Sequence, residues 1–207
     1  MNKIKTDICV IGGGSGGLSV AAGAVQMGAK VVLIEAGEMG GDCLNYGCVP
    51  SKALLSAAKQ AHVMRKGGAG IAGVTPQIDY AAAMDHVQGA IDTIAPHASQ
   101  ERFEGLGCTV IRAVAKFTSP KTVQAGDTEI TARRFVISTG SRAFIPPIEG
   151  LESVPYLTNE SLWQQRAAPK HLLVLGGGPI GMEMAQAHRR LGCEVTVVDA
   201  QAALGRD

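Results

Sequence analysis

The chain has 207 residues, 46% of them hydrophobic and 18% charged, so it can build an ordinary globular core in one or two domains. Its net charge of +1 comes without any basic run, which makes nucleic acid and anionic membrane surfaces poor partners. Five cysteines in a composition of this kind point to chemistry or burial, not to a disulfide framework. The chain opens Met1-Asn2-Lys3-Ile4-Lys5 and passes straight into a strand. That start has no leader pattern, and no apolar run is long enough to span a bilayer, so a cytoplasmic location is expected.

Residues 4–11, rich in Ile and Val, have the character of a buried parallel strand. They run into Gly12-Gly13-Gly14-Ser15-Gly16-Gly17, and a helix is expected over 18–27, ended by Gly28, before a second strand over 30–35. This is a βαβ dinucleotide fingerprint. Gly12 makes the tight turn, Gly14 lets a pyrophosphate approach the backbone, and Gly17 lets helix and strand pack closely. The helix start offers unpaired N–H groups to the phosphates. Glu35 closes the second strand, where it can bind a ribose hydroxyl.

The next stretch is Gly40-Gly41-Asp42-Cys43-Leu44-Asn45-Tyr46-Gly47-Cys48-Val49-Pro50-Ser51-Lys52, with two cysteines five positions apart. Along a regular helix that spacing advances about 7.5 Å and separates the Cα atoms by roughly 8–9 Å. A disulfide requires less than about 7 Å. If the two are bonded, the chain between them leaves helical geometry, and Gly47 is the residue expected to allow it. A disulfide in so short a loop is easier to reduce than a structural one, which makes a redox centre the leading reading. A structural disulfide suits oxidising compartments and small loop-rich folds. A zinc site needs about four ligands, and only two sulfurs are close in sequence.

A helix is expected over 51–66, broken by Gly67-Gly68-Ala69-Gly70, and a longer one over 79–104 that Pro96 kinks or divides. His62, His86 and His97 share no ligand spacing and read as surface or packing residues. Strands over 109–117, 122–125 and 129–139, separated by Ser119-Pro120 and Gly126-Asp127, form a β-meander. Pro146-Pro147 and Gly150 mark a linker. Residues 170–199 then repeat the opening: strand 171–175, the turn Gly176-Gly177-Gly178-Pro179-Ile180-Gly181, helix 182–191, Gly192 and strand 194–199. Gly12 to Glu35 and Gly176 to Asp199 align without a gap. Pro179 sits in the first helical turn, where its missing N–H costs nothing. Asp199 accepts from an unphosphorylated ribose and repels a 2′-phosphate, favouring NADH over NADPH.

The cysteine segment resembles the active-site segment of the class I pyridine nucleotide–disulfide oxidoreductases, flavoenzymes that include dihydrolipoamide dehydrogenase, glutathione reductase and mercuric reductase. Their pattern, G-G-x-C-x-N-x-G-C-x-P-[ST]-K, is matched at Gly40, Gly41, Cys43, Asn45, Gly47, Cys48, Pro50, Ser51 and Lys52. The resemblance runs from the first fingerprint to Asp207. It implies an α/β architecture: a Rossmann-like FAD-binding domain over 1–150, with an inserted helical hairpin and β-meander. The first βαβ unit of a second, NAD-binding Rossmann-like domain follows over 151–207. FAD is expected on Gly12, Gly14, Ser15, Gly17, Glu35 and Ala36, with Gly41, Asp42 and Lys52 also against the cofactor. Thr139 and Gly140 match a T-G turn that packs on FAD, and backbone near Ala115 meets the adenine end. NAD(H) is expected on Gly176, Gly178, Ile180, Gly181, Glu183 and Asp199.

By the same resemblance, hydride passes from NAD(P)H through FAD to a Cys43–Cys48 disulfide and on to a small-molecule disulfide or a metal ion. Cys48 becomes the charge-transfer thiol and Cys43 the interchange thiol. Lys52 lies near the flavin N5 and stabilises negative charge on the reduced flavin and the Cys48 thiolate. Glu183 matches an acid near the nicotinamide and is placed to pair with Lys52. Asp42 stands where many members carry threonine, and Tyr46 where an apolar residue is usual. Cys9, Cys108 and Cys193 belong to no motif, and Cys9 and Cys193 are expected as core residues inside strands.

One βαβ unit of about thirty residues is too little to close a sheet. Family members are longer and add a dimerisation domain that supplies a His–Glu pair to the partner subunit. The chain is therefore expected to be the N-terminal portion of a homodimeric enzyme, not competent for turnover alone. The alternatives are a truncated inactive product, a non-catalytic dinucleotide-binding or redox-sensing module, and a flavin reductase that uses no dithiol.

Overall fold

The computed structural model describes residues 2–200; Asp207, where the resemblance ends, lies outside them. The chain forms two compact units, one of Met1–Gly47 with Ile91–Tyr156 and the other of Cys48–Ala90 with Leu157–Asp207.

The first unit is built on β1 (Asn2–Ile11), followed by α1 (Ser15–Gln26), β2 (Val31–Ile34) and the short α2 (Gly41–Asn45). Ile8 to Ile11 lie parallel to Val31 to Ile34. Cys9, Val10 and all four residues of β2 are buried, as strands covered on both faces should be. α3 (Cys48–Lys66) and the first part of α4 (Tyr80–Ile94) belong to the second unit. The chain re-enters the first at Ile91, in the last turn of α4, and continues with a 3₁₀ turn at Ala95–Ala98 and α5 (Gln100–Gly105). Pro96 thus divides the helical stretch expected over 79–104, because it cannot donate to the preceding turn. Ser99 restarts it, its hydroxyl accepting from Arg102 N–H at 3.2 Å.

Four strands follow: β3 (Thr109–Ile111), β4 (Ala115–Ser119), β5 (Thr122–Ala125) and β6 (Thr128–Ile137). The sheet order is β3-β2-β1-β6-β5-β4. This corrects the expectation of a single strand over 109–117. β3 joins the parallel half beside β2, while β4 pairs antiparallel with β5. The two lie at opposite edges of one sheet, so no continuous strand can serve as both. β6 runs parallel to β1 from Asn2 opposite Thr128 to Ile11 opposite Ile137. Cys9, Ile11, Val32 and Ile34 meet Val123, Ala125, Ile130 and Ala132 in the core, with Ala115 packed against it.

In the second unit, β7 (His171–Leu175), α6 (Pro179–Arg190) and β8 (Glu194–Val198) make the repeated βαβ unit. β7 and β8 pair in parallel from His171 opposite Glu194 to Leu175 opposite Val198. α6 packs on α3, and the Arg65 guanidinium donates to the Arg190 carbonyl. His188, fully buried, faces α4: its Nε2 lies 3.0 Å from the Tyr80 hydroxyl, and its Nδ1 lies 2.8 Å from the Met184 carbonyl. A carbonyl only accepts, so Nδ1 carries the proton and Nε2 accepts from Tyr80.

Candidate active site

The first glycine turn is held at both ends by backbone. Gly12 N–H donates to the Ile34 carbonyl at 2.8 Å, and α1 starts with Leu18 N–H on the Gly14 carbonyl at 2.9 Å. A Cβ on Gly17 would lie 1.8 Å from the Gly12 carbonyl oxygen, and one on Gly12 would lie 2.1 Å from that of Ser138. Both positions are therefore closed to any side chain. At Gly14 and Gly16 an added Cβ meets nothing nearer than 3.7 and 3.9 Å, so the outer face of the turn is open. α1 starts at Gly14 without a side-chain cap, and its first N–H groups are available to an anion. The turn fits a dinucleotide pyrophosphate.

Glu35 is held through both of its carboxylate oxygens. One carboxylate oxygen accepts from Gly13 N–H, and the other accepts from Gly37 N–H at 2.6 Å. Each oxygen retains a lone pair for a sugar hydroxyl. Ser138, which the sequence reading passed over, seals the turn from the β6 side. Its N–H donates to the Ile11 carbonyl at 2.8 Å, and its hydroxyl lies 3.2 and 3.3 Å from the Ile11 and Gly12 carbonyls. The available signal was a hydroxyl at the strand end, immediately before Thr139-Gly140. Those two residues are exposed, as is Ala36.

The turn is also stitched to the cysteine segment. Gly40 N–H donates to the Gly13 carbonyl at 2.8 Å. A Cβ on Gly41 would lie 2.7 Å from Gly14 Cα. Two residues on, Cys43 sits in α2. The chain leaves helical geometry at Tyr46, with φ −135° and ψ −8°, and Cys48 opens α3. Cys43 and Cys48 are at disulfide distance and bonded. Gly47 serves this turn through close approach, not through a left-handed backbone. It is not among the left-handed glycines. Its missing Cβ matters because one would lie 2.8 Å from Asp42 Oδ2 and 3.1 Å from the Asp42 carbonyl. Asn45 braces the segment, its amide donating to the Gly41 and Met39 carbonyls at 2.9 and 3.2 Å. The Tyr46 hydroxyl donates to Glu38 at 3.2 Å.

In the second unit the same construction recurs. Gly176 N–H donates to the Val198 carbonyl at 2.8 Å, and Gly177 N–H to Asp199 Oδ2 at 2.5 Å. A Cβ on Gly181 would lie 2.1 Å from the Gly176 carbonyl oxygen. α6 starts at Gly178 with Pro179 in its first turn and no side-chain cap, and Ile180 is exposed. Lys52 on α3 reaches Glu183 on α6, with Nζ 2.5 and 2.7 Å from the two carboxylate oxygens.

The other three cysteines are free and buried. Burial pushes the Cys9 thiol up to about 11 and raises Cys108 and Cys193 in the same direction. Cys193 lies in the turn before β8, not inside a strand; its N–H closes α6 on the His188 carbonyl at 3.0 Å. Among the described residues no group of three or more His, Cys, Asp or Glu is arranged to hold a metal ion, and no helix is long and apolar enough to cross a membrane.

The described residues thus hold two glycine turns, each tied to an acid, and a bonded cysteine pair that follows directly on the first. The chain belongs to the pyridine nucleotide-disulphide oxidoreductase family, whose model matches residues 6–207. It is 34% identical over 199 residues to a mercuric reductase of Lysinibacillus sphaericus, covering 96% of this chain and 36% of that one. It is 35% identical over 201 residues to a dihydrolipoyl dehydrogenase of Thermus scotoductus, covering 93% and 42%. The HOCl-induced flavoprotein disulfide reductase RclA from Escherichia coli superposes with a TM-score of 0.81 at 26% identity, over 96% of this chain and 43% of that one. The chain spans less than half the length of the relatives it matches. Membership places it in an enzyme family and implies FAD and a pyridine nucleotide.

Proposed function

We propose that this chain carries the FAD site, the redox disulfide and the start of the nicotinamide-nucleotide site of an oxidoreductase that draws electrons from NAD(P)H. The electrons pass to the Cys43–Cys48 disulfide and on to a small-molecule disulfide or a metal ion. Supporting it most directly is the bonded cysteine pair two residues from Gly41, which packs on Gly14 of the first turn. The flavin, when bound, supplies two-electron transfer between the nicotinamide and the disulfide. Gly12, Gly14, Ser15 and Gly17 with the α1 start would hold its pyrophosphate, and Glu35 with Ala36 its ribose. Gly41, Asp42, Ala115, Thr139 and Gly140 would complete that site. Gly176, Gly178, Ile180 and Gly181 would repeat the arrangement for the nicotinamide nucleotide, with residues 1–150 and 151–207 as the two domains.

Reduction adds two electrons and two protons to the disulfide. Cys43, as thiolate, would attack the substrate disulfide and expel one substrate sulfur as a thiol; Cys48 would then attack the Cys43 sulfur of the mixed disulfide, expelling the second substrate thiol and restoring the protein's own bond. Lys52, held by Glu183, carries the positive charge that favours a thiolate nearby. Asp199, fixed by Gly177 N–H at 2.5 Å, favours NADH over NADPH because a 2′-phosphate would meet its carboxylate. The homodimer and the His–Glu pair implied by the family belong to this reading through the remainder of a longer protein.

An anaerobic titration with NADH, followed by visible absorbance and thiol count, tests it. The expected result is a long-wavelength charge-transfer band as two thiols appear. Bleached flavin without new thiols would mean a flavin reductase that uses no dithiol. Bound dinucleotide with no reduction at all would mean a sensing module.

A further inference from the structure

Arg112 is the residue directly after β3, exposed, and outside every motif described so far. Its guanidinium donates to the Gly37 carbonyl. Gly37 in turn donates its N–H to one Glu35 oxygen at 2.6 Å, and the other oxygen accepts from Gly13. The preceding residue, Ile111, accepts the N–H of Glu35 itself at 3.0 Å. Two consecutive residues at the end of β3 therefore hold the backbone of the acid and the turn that aims its carboxylate. Besides the Arg112 contact, the Glu35-Ala36-Gly37 turn is tied by the Ile111 bond and by Glu35's own side chain. A guanidinium suits the task, being permanently charged and rigid, so its bond to a carbonyl is stronger than one between neutral groups.

We infer that Arg112 is a positioning residue for the adenosine end of the first dinucleotide: by gripping the Gly37 carbonyl it sets the direction of the Glu35 carboxylate toward the ribose hydroxyls. The inference rests on the reading of the first turn as the FAD site. It makes β3 part of the cofactor site, where topology alone would give it only the role of a sheet edge.

The test compares binding of FAD with that of its analogue lacking the adenosine 2′-hydroxyl, by flavin fluorescence, in the wild-type protein and its variants. The wild type should prefer FAD by about tenfold, the value of one well-aimed hydrogen bond to a charged group. Arg112→Ala should bring that preference close to parity, and Arg112→Lys should restore part of it. Glu35→Gln should abolish the preference alone, with Arg112→Ala adding nothing on that background. If Arg112→Ala does not fold, as judged by circular dichroism, Arg112→Gln is read in the same way. An undiminished preference in the Arg112 variants, or equal weakening of both flavins, overturns the inference while leaving the FAD site standing. A wild-type protein that takes up neither flavin overturns the FAD reading and this inference with it.

Discussion

A missing side chain carries the tightest constraint in this molecule. Gly17 and Gly181 lie at equivalent places in the two repeats, with carbonyl oxygens 1.8 and 2.1 Å from where a Cβ would stand. The obstacle is backbone, which cannot swing aside as a side-chain tip can. Gly17→Ala should therefore cost about 2–4 kcal/mol of stability, at the level of the larger packing defects, and impair FAD uptake. Gly23 sits in the same helix with nothing within 4 Å of an added Cβ. Gly23→Ala should stabilise by roughly 0.5–1 kcal/mol, the ordinary gain in helix propensity. Thermal denaturation of the two variants side by side should show opposite shifts. The fingerprint glycines were legible in the sequence because a spacing announces them. Ser138 and Arg112 were not, since each acts on backbone carbonyls far along the chain, those of Ile11 and Gly12 for Ser138 and that of Gly37 for Arg112.

Elements were legible where one local pattern governed them. The repeated strand–turn–helix units and the division at Pro96 needed only nearby residues. The stretch after Thr109 was misjudged because its apolar run is continuous while its partners are not: Ile111 belongs beside β2, and Ala115 beside β5. The α4–α6 contact was equally hidden, because Tyr80 and His188 are separated by more than a hundred residues. Burial there depresses the His188 pKa below its ordinary 6.5, although the Met184 carbonyl opposes that shift. The same burial pushes the Tyr80 phenol up to about 12, so it remains a donor. An unfolded histidine takes up a proton near 6.5 while the folded one resists. The contribution is thus present above that pH and lost as pH falls through it. Stability of the protein should decline on acidification below 6.5, and His188→Phe should flatten that limb. The same variant should cost about 1–3 kcal/mol, because the buried Tyr80 hydroxyl loses its acceptor. Denaturant melts across the pH range would check both.

At the scale of the molecule the two units differ in how far their sheets are covered. β1 and β2 sit inside a six-stranded sheet with buried side chains on both faces. β7 and β8 form a two-stranded sheet among the described residues, with Leu173, Leu175 and Val198 exposed. Amide hydrogen exchange should therefore be slowest in β1 and β2 and markedly faster in β7 and β8. Equal protection of the two sheets would contradict this.

Cys9, Cys108 and Cys193 have a practical consequence. With 0, 6 and 2% of their surface exposed and raised thiol pKa values, they should be inert to a thiol reagent while the protein is folded. The native oxidised protein should then titrate as zero thiols and the native reduced protein as two. The unfolded reduced chain should titrate as five, matching its cysteine total. Any count between two and five under native conditions measures the fraction of molecules that have opened. The protein thus carries its own gauge of folding inside the assay of its chemistry.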